Sequence, residues 1–284
     1  MGRRVVRDVE EWYVWYIKTL GPVSLETINS KLNSFSHLKV WLNGRDVLKF
    51  RMDERKPLEQ HISNTCGANS IRQYMIDIRK FYNTLVEYDF LRKSPFEGYK
   101  LPKGQEPDVQ EYEFSEVIPA LLAACRDERD TLIVQLGVLS GLRRTELAAL
   151  TWDNISFQNG EIRVFGKGEK FRDVAISDEL IEILKRNQNG SRHVIKNYGT
   201  GEGLNPRYLY LVIKRIAERA GYPRFATHDL RRLHAQEYVV QTGDIEALQK
   251  QLGHRDVKTT LRYTKSTKKR RRKNAEKIKL PTRN

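Results

Sequence analysis

The chain has 284 residues, 39% hydrophobic and 10% aromatic, with a formal net charge of +15. That composition builds real cores and excludes a disordered chain, and the length suits one large domain or two modest ones. No stretch approaches the roughly 18–20 uncharged apolar residues of a membrane span. The opening MGRRVVRDVEEW has no apolar run behind its charges, so no signal peptide is expected. Cys66 and Cys125 stand far apart with no CxxC spacing, against both a structural zinc site and a disulfide scaffold. An intracellular globular protein is the expectation, cytoplasmic or at a host-cell nucleoid and without a membrane partner.

The charge is unevenly placed. Residues 1–104 hold 18 Lys and Arg against 12 Asp and Glu, residues 105–264 hold 23 of each, and residues 265–284 hold 10 against 1. A polyanion would be drawn to the first segment and to the tail. Charge alone suggests nucleic acid without establishing it, since a basic tail also serves solubility.

The N-terminal third reads as helix. Val5, Val9, Trp12, Tyr16 and Leu20 recur at three- and four-residue spacing, as do Leu25, Ile28, Leu32, Phe35, Leu38 and Leu42, with Ser24 placed as a cap. Between Asn43 and Asn69 only a short helix near Leu58–Ile62 is predicted. Ile71, Tyr74, Met75, Ile78, Phe81, Tyr82 and Leu85 then form the cleanest stripe in the chain. These aromatics are read as core rather than as base-stacking platforms.

Lys93 to Pro107, KSPFEGYKLPKGQEP, carries three prolines and two glycines without an apolar period and reads as an extended linker. Arg92, Lys93, Lys100 and Lys103 make it basic, suited to lie along a phosphate backbone. The predicted organisation is a helical domain over 1–92, a basic linker over 93–107, a second domain over 108–264 and a basic tail over 265–284, with the border near Gly104.

The second domain is mixed. A helix opens at Ser115, another covers Thr131–Leu139, and short β-branched runs at Glu161–Phe165 and Phe171–Ile176 flank GKGEK as a hairpin. Helices resume at about Ser177–Arg186, Pro206–Ala220, Leu230–Gln241 and Ile245–Leu252. The fold class is mainly α with a small antiparallel sheet.

Four clusters carry the chemistry. In SGLRRTELAAL, residues 140–150, Gly141 ends an apolar helix, Arg143 projects from the turn, with Arg144 beside it, and Glu146 opens the next helix. In GKGEKFRDV, residues 166–174, Lys167 sits between two glycines. In HDLRR, residues 228–232, His228 and Arg231 share a helix face at i, i+3. In LGHRDVKTTLRYT, residues 252–264, His254 precedes Tyr263 by nine positions. No Asp/Glu cluster of metal-ligand type accompanies them, and neither a P-loop nor a dinucleotide motif is present. Cations plus one phenol suit a pentavalent phosphoryl transition state without a metal: arginines clamp its oxygens and the phenol attacks. A phenol of ordinary pKa about 10 needs such cations nearby to react as phenolate.

In this order the four clusters resemble the tyrosine recombinase/integrase family, including phage integrases and Xer-type recombinases, over the whole second domain. The helical first part resembles that family's core-binding domain. The resemblance implies that Arg143 and Arg231 bind the scissile phosphate and Lys167 protonates the leaving 5′ oxygen. It implies further that His228 and His254 assist proton transfer and phosphate binding, and that Tyr263 forms a 3′-phosphotyrosine. No cofactor or metal is implied. The implied partner is double-stranded DNA bearing a specific recombination site; the resemblance implies a protein that is a tetramer on synapsed DNA and a monomer or weak oligomer when free. One departure is visible: Leu233 and His234 follow HDLRR where the family commonly has a small polar and an aromatic residue, so His234 is read as a helix-packing residue. The basic run Lys268, Lys269, Arg270, Arg271 and Arg272 is read as gripping phosphates, with Ile278 and Leu280 giving a short docking contact. Integration or excision of a mobile genome is the favoured role. A Xer-like dimer resolvase, a type IB topoisomerase and a DNA-binding protein without activity are the alternatives, and Tyr238 is the substitute nucleophile should Tyr263 not serve.

Overall fold

The computed structural model describes residues 8–105, 110–166, 170–188 and 190–253. The chain divides into two compact units between Val109 and Gln110.

Among the described residues the first unit is built on four α-helices: α1 (Val9–Thr19), α2 (Leu25–Leu42), α3 (Arg55–Ser63) and α4 (Ala68–Glu87), with 3-10 turns at Val47–Lys49 and Met52–Glu54. Asp8 caps α1 by accepting the Glu11 amide, and Ser24 caps α2 by accepting the Thr27 amide. Each such oxygen satisfies a donor that the first turn leaves unpaired, contributing about 1 kcal/mol. The predicted stripes meet in one core of Trp12, Tyr16, Phe35, Leu38, Met75, Ile78, Phe81 and Tyr82. Inside it Lys31 Nζ donates to Asp77 Oδ1 at 3.1 Å, and Ser34 Oγ and Gln73 Nε2 donate to Asp77 Oδ2, pinning α2 to α4.

The stretch read as an extended basic linker is different. Residues 94–99 form turns whose Phe96 and Tyr99 are buried in the first unit's core. Phe96 stacks on Phe50 at 5.6 Å between ring centroids, and Arg72 Nη1 donates to the Pro102 carbonyl at 2.7 Å. A buried aromatic contributes about 1.5–3 kcal/mol, so two of them hold these residues against the core despite their turn-rich composition. The two units divide five residues beyond Gly104.

The second unit contains α5 (Phe114–Ala123), α6 (Glu128–Ser140), α7 (Arg144–Ala149), β1 (Ile155–Ser156), β2 (Glu161–Gly166), β3 (Lys170–Ala175), α8 (Asp178–Arg186), α9 (Pro206–Arg219), α10 (Thr227–Thr242) and α11 (Ile245–Leu252). The sheet is antiparallel in the order β1-β2-β3, with Ile162 opposite Val174 and Phe165 opposite Phe171. β1 went unpredicted because two residues are too short to show alternation. Helix α6 is apolar nearly all round, burying Leu132, Ile133, Val134, Leu136 and Val138, and so runs through the middle of the unit. Gly137 lets α10 approach: a Cβ there would stand 2.8 Å from Leu230 Cδ1. Helix α10 starts three residues earlier than predicted, because the Asp229 carboxylate accepts the Ala226 amide at 2.8 Å and stabilises the first turn. No helix among the described residues is long and apolar enough to cross a membrane.

Candidate active site

The site begins at a corner. Gly141 closes α6 in the left-handed region, φ +64°, and Arg143 leads into α7. The Glu146 carboxylate turns back to this corner, accepting the Arg143 amide at 2.7 Å on Oε2 and Arg143 Nη1 at 2.8 Å on Oε1. From β3, Arg172 closes on the same carboxylate with both terminal nitrogens, at 2.7 and 2.8 Å. Burial alone would push the Glu146 pKa up. The hydrogen bonds and charges of Arg172 and Arg143 outweigh it and hold that carboxyl at about 2.

A second arginine arrives from α10. Arg231 is buried, donating from Nη1 to the Gly141 carbonyl and from Nη2 to the Leu252 carbonyl, each at 2.7 Å. Arg143 Nη2 donates to the Gly253 carbonyl at 3.2 Å, and Arg172 Nε to the Gln251 carbonyl at 3.3 Å. Three consecutive carbonyls at the C-terminal end of α11 therefore each accept from a different guanidinium. The helix end, carrying unpaired carbonyls and the negative pole of the helix dipole, is where cations are favoured. The Gln251 side chain adds a two-way amide pairing with the Ala175 backbone, at 2.7 and 3.1 Å, so the end of α11 is also fastened to the sheet.

His228 lies in the first turn of α10, one turn before Arg231. The residue is exposed, yet crowding of its ring by protein, first, and the Arg231 charge, second, lower its pKa. His234, one turn further along, packs behind the corner: its Nδ1 lies 2.9 Å from the Val138 carbonyl, and its ring blocks the space beside Gly141. That is the packing position read from the sequence. Tyr238 is half-buried against α11, beside Leu248 and Leu252.

The structure thus gathers Arg143 and Arg231 around the residues that directly precede His254, with His228 on the same helix as Arg231. Lys167, His254, Tyr263 and the run Lys268, Lys269, Arg270, Arg271 and Arg272 lie outside the described residues. Arg144 is exposed over the Tyr210 ring, 5.9 Å from its centroid. Arg92, Lys93, Lys100 and Lys103 are exposed on the first unit, where Lys93 pairs with Glu97 at 2.7 Å.

In the amino-acid sequence Glu146 reads only as a helix opener, and Arg172 and Gln251 are not among the residues its motifs single out. A signal for Arg172 existed. It shares its strand face with the fully buried Val174, whereas Phe171 and Asp173 face out. An arginine on the inward face of a strand must find a carboxylate.

Residues 113–270 match the phage integrase family. The chain belongs to that family. By sequence it is similar to the tyrosine recombinase XerD of Staphylococcus haemolyticus (strain JCSC1435), 27% identical over 93% of this chain and 95% of that one. It is 30% identical to the tyrosine recombinase XerC of Azotobacter vinelandii over 70% of each chain. By fold it resembles the Tn1549 transposon integrase in complex with transposon right end DNA, with a TM-score of 0.77 at 16% identity over 96% of this chain and 99% of that one. A lambda integrase dimer bound to a COC′ core site gives 0.74 at 17% identity, over 90% and 76%. The chain is a Xer-like tyrosine recombinase, an enzyme of the site-specific DNA recombinase class.

Proposed function

We propose that the chain cuts and rejoins DNA at specific sites through a 3′-phosphotyrosyl intermediate on Tyr263. In the forward step the Tyr263 oxygen bonds to the scissile phosphorus and the bond to the 5′ oxygen breaks. Lys167 supplies the proton to that 5′ oxygen, while His228 and His254 move protons and hold the phosphate. Arg143 and Arg231 clamp the two non-bridging oxygens, stabilising charge that grows in the transition state. Attack by a 5′-hydroxyl of the partner duplex reverses each bond change, so the phosphodiester energy is conserved and no nucleotide cofactor is consumed.

The observation that carries this reading is the meeting of Arg143 and Arg231 at adjacent carbonyls, Gly253 and Leu252, immediately before His254. The partner is double-stranded DNA with a defined site. Arg92, Lys93, Lys100, Lys103, Arg144 and the basic run after Tyr263 supply phosphate contacts, and a tetramer forms on synapsed DNA. Phosphate contacts of this kind position the protein and carry no sequence information. A cytoplasmic setting accords with this role. Near-full-length similarity to XerD favours resolution of DNA dimers over integration of a mobile genome. Recombination of a plasmid carrying two chromosomal resolution sites, against one carrying paired attachment sites, separates the two roles.

The chemistry is tested with a substrate nicked near the crossover, which traps the covalent adduct on a denaturing gel. Wild type forms the adduct, while Tyr263→Phe binds the DNA with unchanged affinity and forms none. An adduct in the variant moves the nucleophile elsewhere, with Tyr238 the first residue to examine.

A further inference from the structure

The Glu146 carboxylate sits between two guanidiniums, and this sets the charge that faces a phosphate. Its side chain is 5% exposed, that of Arg172 13% and that of Arg143 34%. Arg172 spends Nε, Nη1 and Nη2 on protein oxygens, two of these bonds being the paired contact with Glu146. The Arg143 side chain gives one bond to Glu146 and one to the Gly253 carbonyl. Of five N–H bonds on a guanidinium, three on Arg143 have no protein partner among the described residues, and Arg143 is the more exposed of the two.

We infer that Arg172 is a positioning residue for the recombinase reaction: by occupying both oxygens of Glu146 it keeps that carboxylate from neutralising Arg143. Two arginines and one glutamate leave the cluster with one net positive charge, presented by the exposed member. Without Arg172, Glu146 and Arg143 form a one-to-one pair of zero net charge. Bidentate pairing is the preferred geometry of a carboxylate with a guanidinium, so Arg143 would be drawn from the phosphate side onto Glu146. The same residue holds β3 to α7 and to the end of α11. Gly253 fits this arrangement, since a Cβ there would stand 2.7 Å from Arg172 Cδ. The inference rests on the proposal that Arg143 binds the scissile phosphate.

The experiment measures single-turnover adduct formation at saturating DNA, and DNA affinity separately, for wild type, Arg172→Met, Arg172→Lys and the double variant Arg172→Met/Glu146→Gln. Thermal melting is recorded for each. Arg172→Met is expected to slow adduct formation by roughly tenfold to a hundredfold, below the loss from removing a direct transition-state donor, with affinity changed by less than about threefold. Arg172→Lys, a cation without the planar fork, falls between. The double variant restores the net positive charge by making residue 146 neutral, and it recovers most of the rate. On a substrate with a neutral methylphosphonate at the scissile position the Arg172→Met defect shrinks, because less charge develops there.

A rate unchanged in Arg172→Met overturns the inference. So does an equal defect on phosphate and methylphosphonate together with a double variant slower than the single one, the pattern of a purely structural residue. Should Arg172→Met fail to fold, the lysine and double variants decide on the same two criteria. Failure of wild type to form a Tyr263-dependent adduct overturns the underlying reading and this inference with it, whereas a normal wild-type adduct with indifferent Arg172 variants removes the inference alone.

Discussion

Gly141 and His234 occupy neighbouring space so closely that a Cβ on Gly141 would stand 2.5 Å from His234 Cδ2. The glycine sits at φ +64°, where a side chain is strained, and the residue two positions on is Arg143. His234 cannot withdraw freely: it is buried, its Nδ1 is engaged at the Val138 carbonyl, and its Nε2 has no hydrogen-bond partner among the described residues. Burial, first, and the Arg231 charge hold its pKa near 4, against the hydrogen bond at Val138, so the ring is neutral in the fold.

Gly141→Ala is therefore expected to destabilise the second unit by more than the roughly 1–2 kcal/mol of left-handed strain alone, since the His234 ring must also move. Urea unfolding followed by circular dichroism measures it. Pairing the change with His234→Ala isolates the steric part, at the cost of the cavity that the smaller residue leaves. Equal destabilisation by Gly141→Ala in the presence and absence of the His234 ring removes the clash from the account.

Glu146 ties stability to acid. Its carboxyl is held at about 2 in the fold against 4.5 for the ordinary group, so the folded state gives up its proton more readily than the unfolded one. The stabilisation is complete above about pH 4.5 and fades as pH falls from there toward 2. At 1.36 kcal/mol per pKa unit the loss approaches about 3 kcal/mol. Glu146→Gln should melt lower than wild type near pH 6 and show a shallower decline between pH 5 and 3. Parallel declines in the two proteins exclude Glu146 as the source.

In the first unit the Lys31–Asp77 pair is the sensitive point. Asp77 is 3% exposed, and its removal strands the Lys31 ammonium, which also lies 5.6 Å from the centroid of the Tyr16 ring. Burial, first, and the Asp77 charge push that Tyr16 hydroxyl up to about 12. Asp77→Ala should cost about 3–5 kcal/mol, because an unpaired buried charge is left behind. Replacing both partners, Lys31→Met with Asp77→Leu, should recover most of that. A double variant no better than Asp77→Ala shows that the packing of α2 on α4, rather than the ion pair, limits stability.

The helical stripes, the β2–β3 hairpin and the four clusters in their order were legible in the amino-acid sequence because each is local. Periodicity from Ile71 to Leu85 repeats at each helical turn, and the spacings of Arg143 to Glu146 and His228 to Arg231 are each set by one turn of chain. Burial of Phe96 and Tyr99 was not legible, since proline and glycine around them describe how the backbone bends and not what it bends against. Nor was the arginine array. Gln251, Leu252 and Gly253 receive guanidiniums from residues 79, 21 and 110 positions away, and Arg172 meets Glu146 across 26 positions. Which carbonyl or carboxylate a distant arginine reaches depends on how α7, β3, α10 and α11 are brought together. Packing of the whole unit decides that, and residue spacing does not encode it.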